Sequence, residues 1–168
     1  CGSGNIQAIQ NIYKRLNIET CVIHKPKDFE SIKKIIVPGV GAYDEIMSSL
    51  NNSGIREALD FNVLKNKLPT LGVCVGMQIM GTSSEEGSLP GLNWIPGEVK
   101  KFNEEMIEHL PKIPHMGWNE ISESNNRILH GVDFEKGFYF LHSYYFVPES
   151  SADSLSKTFY GYEFTNSI

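Results

Sequence analysis

The sequence predicts an α/β fold: a single domain with a mostly parallel central sheet flanked by helices, plus added antiparallel strands. Three observations predict it. In the first half, short apolar runs alternate with segments whose apolar residues recur at three and four. Brief turns join them, as in a parallel, doubly wound sheet. After Glu85 the content of proline and aromatic residues rises, and strand-like runs follow one another with no helical period between them.

Asn5 caps a first helix that carries Ile6, Ile9, Tyr13 and Leu16 on one face. Residues 20–24 read as a strand, residues 28–32 as a short helix and residues 34–37 as a second strand. The turn Pro38-Gly39-Val40-Gly41 follows, then a helix over residues 42–50. A further helix fits residues 55–64, with Ile55, Ala58, Leu59 and Val63 as its buried stripe. Residues 71–73 form a strand that ends at Cys74, and a helix begins over residues 75–80. Residues 98–102, 113–121 and 138–147 are the later strands, and the chain closes in a strand-like run. No repeat, low-complexity segment or linker divides the 168 residues, so one domain is expected over residues 1–168. The abrupt opening Cys1-Gly2-Ser3-Gly4-Asn5, a strand-to-helix turn without its strand, suggests that this domain is trimmed at both ends.

Composition narrows the function classes. The chain is 40% hydrophobic and 21% charged, with a net charge of -5 and a mean hydropathy of -0.23. An acidic chain with scattered lysines, paired only at Lys33-Lys34 and Lys100-Lys101, does not present a nucleic-acid surface. No apolar run approaches the ~20 residues of a membrane span. Three cysteines without a CxxC pair suggest neither a zinc site nor a disulfide framework and fit a reducing cytoplasm.

The run Gly72-Val73-Cys74-Val75-Gly76 places glycines two residues either side of a cysteine at a strand-to-helix junction. That is the pattern of a nucleophile elbow with Cys in place of Ser. A sharp turn strains the nucleophile's backbone, and larger flanking residues would collide with neighbouring strand and helix. The following helix would aim N–H groups and its positive end at the sulfur, an arrangement that favours a thiolate. The Val75 N–H would point where an oxyanion forms, and one such donor supplies ~3 kcal/mol. Against this stands the plain reading of Cys74 as a small buried hydrophobe; the pentapeptide alone does not decide.

The remaining motifs do. Gly-Val-Cys-Val-Gly-Met-Gln from Gly72 is followed by Ser83-Ser84-Glu85-Glu86-Gly87. Upstream lies Val37-Pro38-Gly39-Val40-Gly41-Ala42, and downstream lie Pro114-His115-Met116-Gly117-Trp118-Asn119 and His142-Ser143-Tyr144-Tyr145. This set, in this order, resembles the class I (triad-type) glutamine amidotransferases over essentially the whole chain. Within that class it is similar to the glutaminase subunits of imidazole glycerol phosphate synthases.

The resemblance implies glutamine hydrolysis through a cysteine thioester, with ammonia channelled to a synthase (cyclase) partner in histidine biosynthesis. It implies no metal or organic cofactor. Cys74 takes the nucleophile's position, Val75 N–H one oxyanion donor, and the loop with Val40 and Gly41 the other. Gln78, Glu86, Ser143 and Tyr144 match residues that hold the substrate's amino-acid end, although Glu86 also reads as a solvated loop acid. Met116 and Trp118 lie where the family meets its synthase, with a tryptophan buried in this domain as the alternative. Phe140, Tyr145 and Phe146 read as strand core, and His115 as a hydrogen-bonded histidine.

The family's base, a His-Pro-Glu motif, has no counterpart: none of His24, His109, His115, His130 and His142 is followed by x-Glu. The catalytic His and Glu are therefore expected beyond Ile168, with His142 the weaker internal candidate. Cys1-Gly2-Ser3-Gly4-Asn5 stands where the histidine enzyme shows Asp-Tyr-Gly-x-Gly-Asn, and Val75 and Ile79 stand where leucines are common. These departures leave open a paralogous glutaminase that serves amination of bacterial surface sugars. The missing base leaves open an inactive binding module of the same fold.

Overall fold

The computed structural model describes residues 5–108, 110–122 and 126–168. The expected turn through Cys1, Gly2, Ser3 and Gly4 lies outside the described residues, as does His109. Helix α1 (Ile6–Arg15) begins at Asn5, whose side chain accepts the Ala8 N–H as the sequence predicts. Strand β1 (Ile35–Gly39), helix α2 (Tyr43–Asn52), helix α3 (Arg56–Leu64) and strand β2 (Thr70–Cys74) form a strand–helix–strand crossover. A crossover with helices returns the chain in the same direction, and β1 and β2 pair in parallel from Ile35 opposite Thr70 to Gly39 opposite Cys74. Helix α4 (Val75–Gln78) then packs on both strands. Tyr43, Ile46, Met47 and Leu50 of α2 meet Ile55, which precedes α3, Leu59 of α3, Val75 of α4 and Ile79 just after it in one apolar core. Ala58 and Val63 pack against it, completing the stripe read from the sequence.

The later half is built mostly from antiparallel pairs. Strand β3 (Ser83–Ser84) runs parallel to β4 (Gly97–Lys101), and β4 pairs antiparallel with β7 (Tyr144–Pro148). Strands β5 (His115–Asn119) and β6 (Phe138–His142) form a second pair, and β8 (Ser156–Tyr160) and β9 (Tyr162–Ser167) a third. Phe102, Ile107, Tyr160 and Phe164 form a second core beneath these strands, with Phe140 and Tyr145 packed against it. Phe102 stacks on Tyr145 at 4.8 Å and meets Phe164 edge-on at 5.0 Å. Phe146 is fully buried, so all three aromatics read as strand core take that role.

Four local expectations need correction. Residues 20–24 are not a strand: they have no ladder partner among the described residues. The His24 and Lys25 N–H groups instead donate to the Asp28 carboxylate at 2.9 and 3.1 Å. The helix expected over residues 28–32 is a 3-10 turn, Pro26–Ser31, that starts earlier because proline loses no hydrogen bond in a first turn. The helix after Cys74 closes at Gln78, since the Thr82 and Leu92 backbone bonds draw the next residues into a loop. The single strand expected over residues 138–147 is two strands in different sheets. They divide at Ser143, whose carbonyl accepts the Phe102 N–H at 3.1 Å.

Candidate active site

At the carboxyl ends of β1 and β2 the chain turns sharply at Cys74, with φ 57° and ψ -122°. That conformation strains any residue with a Cβ and is retained where the surroundings enforce it. Three glycines enforce it here. A Cβ on Gly72 would lie 2.7 Å from the Gly76 carbonyl oxygen and the Met77 Cα. One on Gly76 would run into the Val37 carbonyl oxygen, and one on Gly39 would strike the Gly76 nitrogen. The strand ends and the start of α4 thus interlock backbone against backbone, and the thiol of Cys74 stands exposed above them. Val75 opens α4, and the first N–H groups of a helix have no acceptor within it. With only 4 residues, α4 is too short to carry a long helix dipole.

The turn that resembles an oxyanion loop lies directly alongside. Gly39 is the register partner of Cys74, so Val40 and Gly41 follow at the nucleophile's side. Gly41 has φ 119°, a conformation suited to glycine. The far end of the loop is held by Glu86, whose Oε2 accepts the Tyr43 N–H at 3.2 Å at the start of α2. Asp44 returns the tie: its carboxylate accepts the Ser88 and Leu89 N–H groups at 2.9 and 3.0 Å. Those backbone bonds, Ser88 first, hold the Asp44 carboxyl below its usual range. The acid at position 86 is exposed in its loop and engaged at the first turn of α2 through that one bond.

Gln78 is buried one turn after Cys74, and its Nε2 donates to the Tyr144 carbonyl at 3.3 Å. The same carbonyl accepts from His142 Nδ1 at 2.8 Å. His142 Nε2 faces His115 Nδ1 at 3.0 Å, and Asn119 Nδ2 reaches His115 Nε2 at 3.2 Å. Burial lowers the His142 pKa, with the bond to the Tyr144 carbonyl opposing. Both ring nitrogens of His142 are thus engaged away from Cys74, and no hydrogen bond among the described residues joins a histidine to the thiol. The sequence marked His115 and His142 singly. Their pairing depends on the β5–β6 register, in which these two residues are opposite, and no local signal announces it. The sequence marked Asn119 only within its motif and Asp44 not at all, and the partners of Asp44, Ser88 and Leu89, likewise lie far away in the sequence.

Met116 and Trp118 project from the other face of β5. Trp118 is 72% exposed and Met116 57%, which excludes the reading of Trp118 as a core residue. Their register partners on β6, Leu141 and Tyr139, are exposed too, and the Trp118 and Tyr139 rings meet edge-on at 5.9 Å. The hairpin so presents an apolar face to solvent and an aromatic–histidine face to the second core. No helix among the described residues is long and apolar enough to cross a membrane.

The sequence matches the model of the family described as "Glutamine amidotransferase class-I" over residues 1–165. It is 45% identical over 169 residues to "Imidazole glycerol phosphate synthase subunit HisH" of Bdellovibrio bacteriovorus, covering 99% of this chain and 82% of that protein. The protein of the same name from Leptospira interrogans is 44% identical over 168 residues, with the same coverage. That from Sulfurimonas denitrificans is 39% identical over 166 residues, covering 98% of this chain and 80% of that protein. A crystal structure of a glutamine amidotransferase shares the fold with a TM-score of 0.65, at 19% identity, over 92% of this chain and 76% of that one. With a family match over nearly its whole length and relatives this similar, the chain belongs to the class I glutamine amidotransferases.

Proposed function

We propose that Cys74 is the nucleophile with which this chain, a glutaminase subunit of imidazole glycerol phosphate synthase, hydrolyses glutamine to glutamate and ammonia. The observation that carries the assignment is the positive φ of Cys74 within its interlocked glycines, beside Gly39 of the loop. The thiolate attacks the side-chain amide carbon, and the carbonyl oxygen becomes an oxyanion facing the Val75 N–H and the loop N–H groups of Val40 and Gly41. As that adduct collapses, the amide nitrogen takes a proton, the C–N bond breaks to release ammonia, and a thioester is left. Water then attacks the thioester through a second oxyanion, releasing glutamate and restoring the thiol. Gln78, Glu86, Ser143 and Tyr144 hold the amino-acid end of the substrate. A glutamine-analogue electrophile should label Cys74 and leave Cys1 and Cys21 unmodified. Labelling elsewhere, or full ammonia release by Cys74→Ala, overturns the assignment.

The proton for departing ammonia comes from a histidine backed by a glutamate, in a His-x-Glu motif beyond Ile168. Support comes from the engagement of His115 and His142 elsewhere. The chain spans 82% of the length of its Bdellovibrio relative. General acid–base catalysis is worth ~10²–10⁴ in rate. Ammonia release by the full-length protein should exceed that of a chain stopped at Ile168 by that factor, both with the synthase partner present. Equal rates would return the role to His142.

Ammonia passes to a cyclase subunit docked on the apolar face of Met116, Trp118, Tyr139 and Leu141. An exposed apolar patch centred on a tryptophan is where interface energy concentrates. The names of the relatives favour this partner over a sugar-aminating one.

A further inference from the structure

We propose that His142 is a positioning residue for glutamine: its imidazole, oriented by His115, fixes the Tyr144 carbonyl against which Gln78 is set. The inference rests on the glutaminase reading above and adds a residue to it. The chain of hydrogen bonds has one direction. A carbonyl oxygen only accepts, so the proton of His142 lies on Nδ1, 2.8 Å from the Tyr144 oxygen. Burial disfavours a second proton on the ring, and with its one proton on Nδ1 the Nε2 is an acceptor. It accepts the Nδ1 proton of His115 at 3.0 Å. His115 Nε2 is left to accept from Asn119 Nδ2 at 3.2 Å, and that amide also donates to the Phe159 carbonyl at 2.9 Å. Each ring carries one proton, and each donor meets an acceptor.

The position of this chain gives it a task. Ser143 is the crossing point between β6 and β7, which belong to different sheets, so no single ladder holds the backbone of residues 142–144 in one orientation. The Phe102 N–H ties the Ser143 carbonyl at 3.1 Å, and two side chains add to that tie where the ladders change: His142 and Gln78 both converge on the Tyr144 carbonyl. Phe102, Phe140 and Phe164 surround the His142 ring with centroids at 5.2, 5.6 and 5.5 Å and restrict its rotation. His115 is in turn stacked between Phe140 at 4.6 Å and Tyr160 at 4.0 Å. Gln78, Ser143 and Tyr144 are the residues assigned to the substrate's amino-acid end. Loss of the His142 bond would displace all three without touching Cys74.

The test uses the full-length protein and reads the rate of Cys74 labelling by two probes, a glutamine-analogue electrophile and iodoacetamide. For His142→Leu the half-saturating concentration of the glutamine analogue should rise about tenfold, the weight of one ordinary hydrogen bond. The iodoacetamide rate should stay at the wild-type value. His142→Asn, whose amide nitrogen stands where Nδ1 stands, should recover to within about threefold. Equal analogue labelling in wild type and His142→Leu overturns the proposal, as does failure of His142→Asn to recover when it is folded. Failure of wild type itself to take the analogue would instead overturn the glutaminase reading. Should His142→Leu not fold, nitrogen NMR of the wild-type histidines decides: an Nδ1-protonated His142 is required, and an Nε2-protonated one overturns the proposal.

Discussion

The elbow around Cys74 and the hairpin that carries Trp118 achieve order by opposite means. At the elbow, position is set by backbone packed on backbone, with Gly39, Gly72 and Gly76 leaving no room for a Cβ. In the β5–β6 hairpin, position is set by side chains. His115, His142 and Asn119 form a bonded run on the inner face, while Met116, Trp118, Tyr139 and Leu141 stand free on the outer. Backbone-built geometry tolerates almost no substitution and fails all at once. Side-chain geometry fails by degrees and is open to isosteric repair. The division matches the proposed tasks: a nucleophile must be held rigidly, and a docking face must be presented.

The largest expected effect contrasts one glycine from each region. Gly76→Ala should cost about 3 kcal/mol of stability, because its methyl meets backbone that has no side-chain freedom to yield. It should also abolish labelling at Cys74. Gly117→Ala, in β5, adds a methyl with nothing within 4 Å and pays only for its φ of 134°, about 1 kcal/mol. Chemical denaturation of both variants measures the difference, and equal losses would dissolve the contrast. Next in size, Trp118→Ala should weaken binding of the synthase subunit by about 2 kcal/mol while changing stability by less than about 0.5 kcal/mol. A fall in melting temperature with unchanged affinity per folded molecule would move Trp118 from the docking face into the fold.

A smaller effect separates the regions by pH. Burial lowers the His142 pKa from the usual 6.5 of histidine, so below that value the unfolded chain binds a proton that the folded chain resists. The folded state is then favoured in full above pH ~6.5 and loses this contribution as pH falls through the lowered folded value. Protonation would also set two N–H donors, of His142 and His115, against each other. The loss should be shallower in His142→Asn, which has no proton to gain; identical pH profiles would show that His142 carries none of it. The smallest effect belongs to the elbow's own core. The Tyr43 hydroxyl is buried and has no hydrogen-bond partner among the described residues. Tyr43→Phe should therefore hold or raise stability, by up to about 1 kcal/mol, in thermal unfolding. A loss above that would mean the hydroxyl is bonded in solution.

The sequence by itself determined the elbow, because its physics is local: glycines two residues either side of a cysteine already specify a turn that only they permit. The same holds for the Asn5 cap, the stripe of α3 and the strand into Cys74. Each depends on residues within a turn or two of one another, where propensity and spacing act directly. Tertiary structure alone decided the rest. Residues 138–147 carry a continuous strand pattern, yet the chain changes sheets at Ser143, because β5 and β4 compete for its two halves. Residues 20–24 carry a short apolar run and still form no strand, since a strand exists only beside a neighbour that completes its ladder. Register, too, is set between segments far apart in the chain. It brought His115 opposite His142, turned Trp118 outward and placed Gly39 beside Cys74, and spacing along one segment carries no information about what the other segment offers.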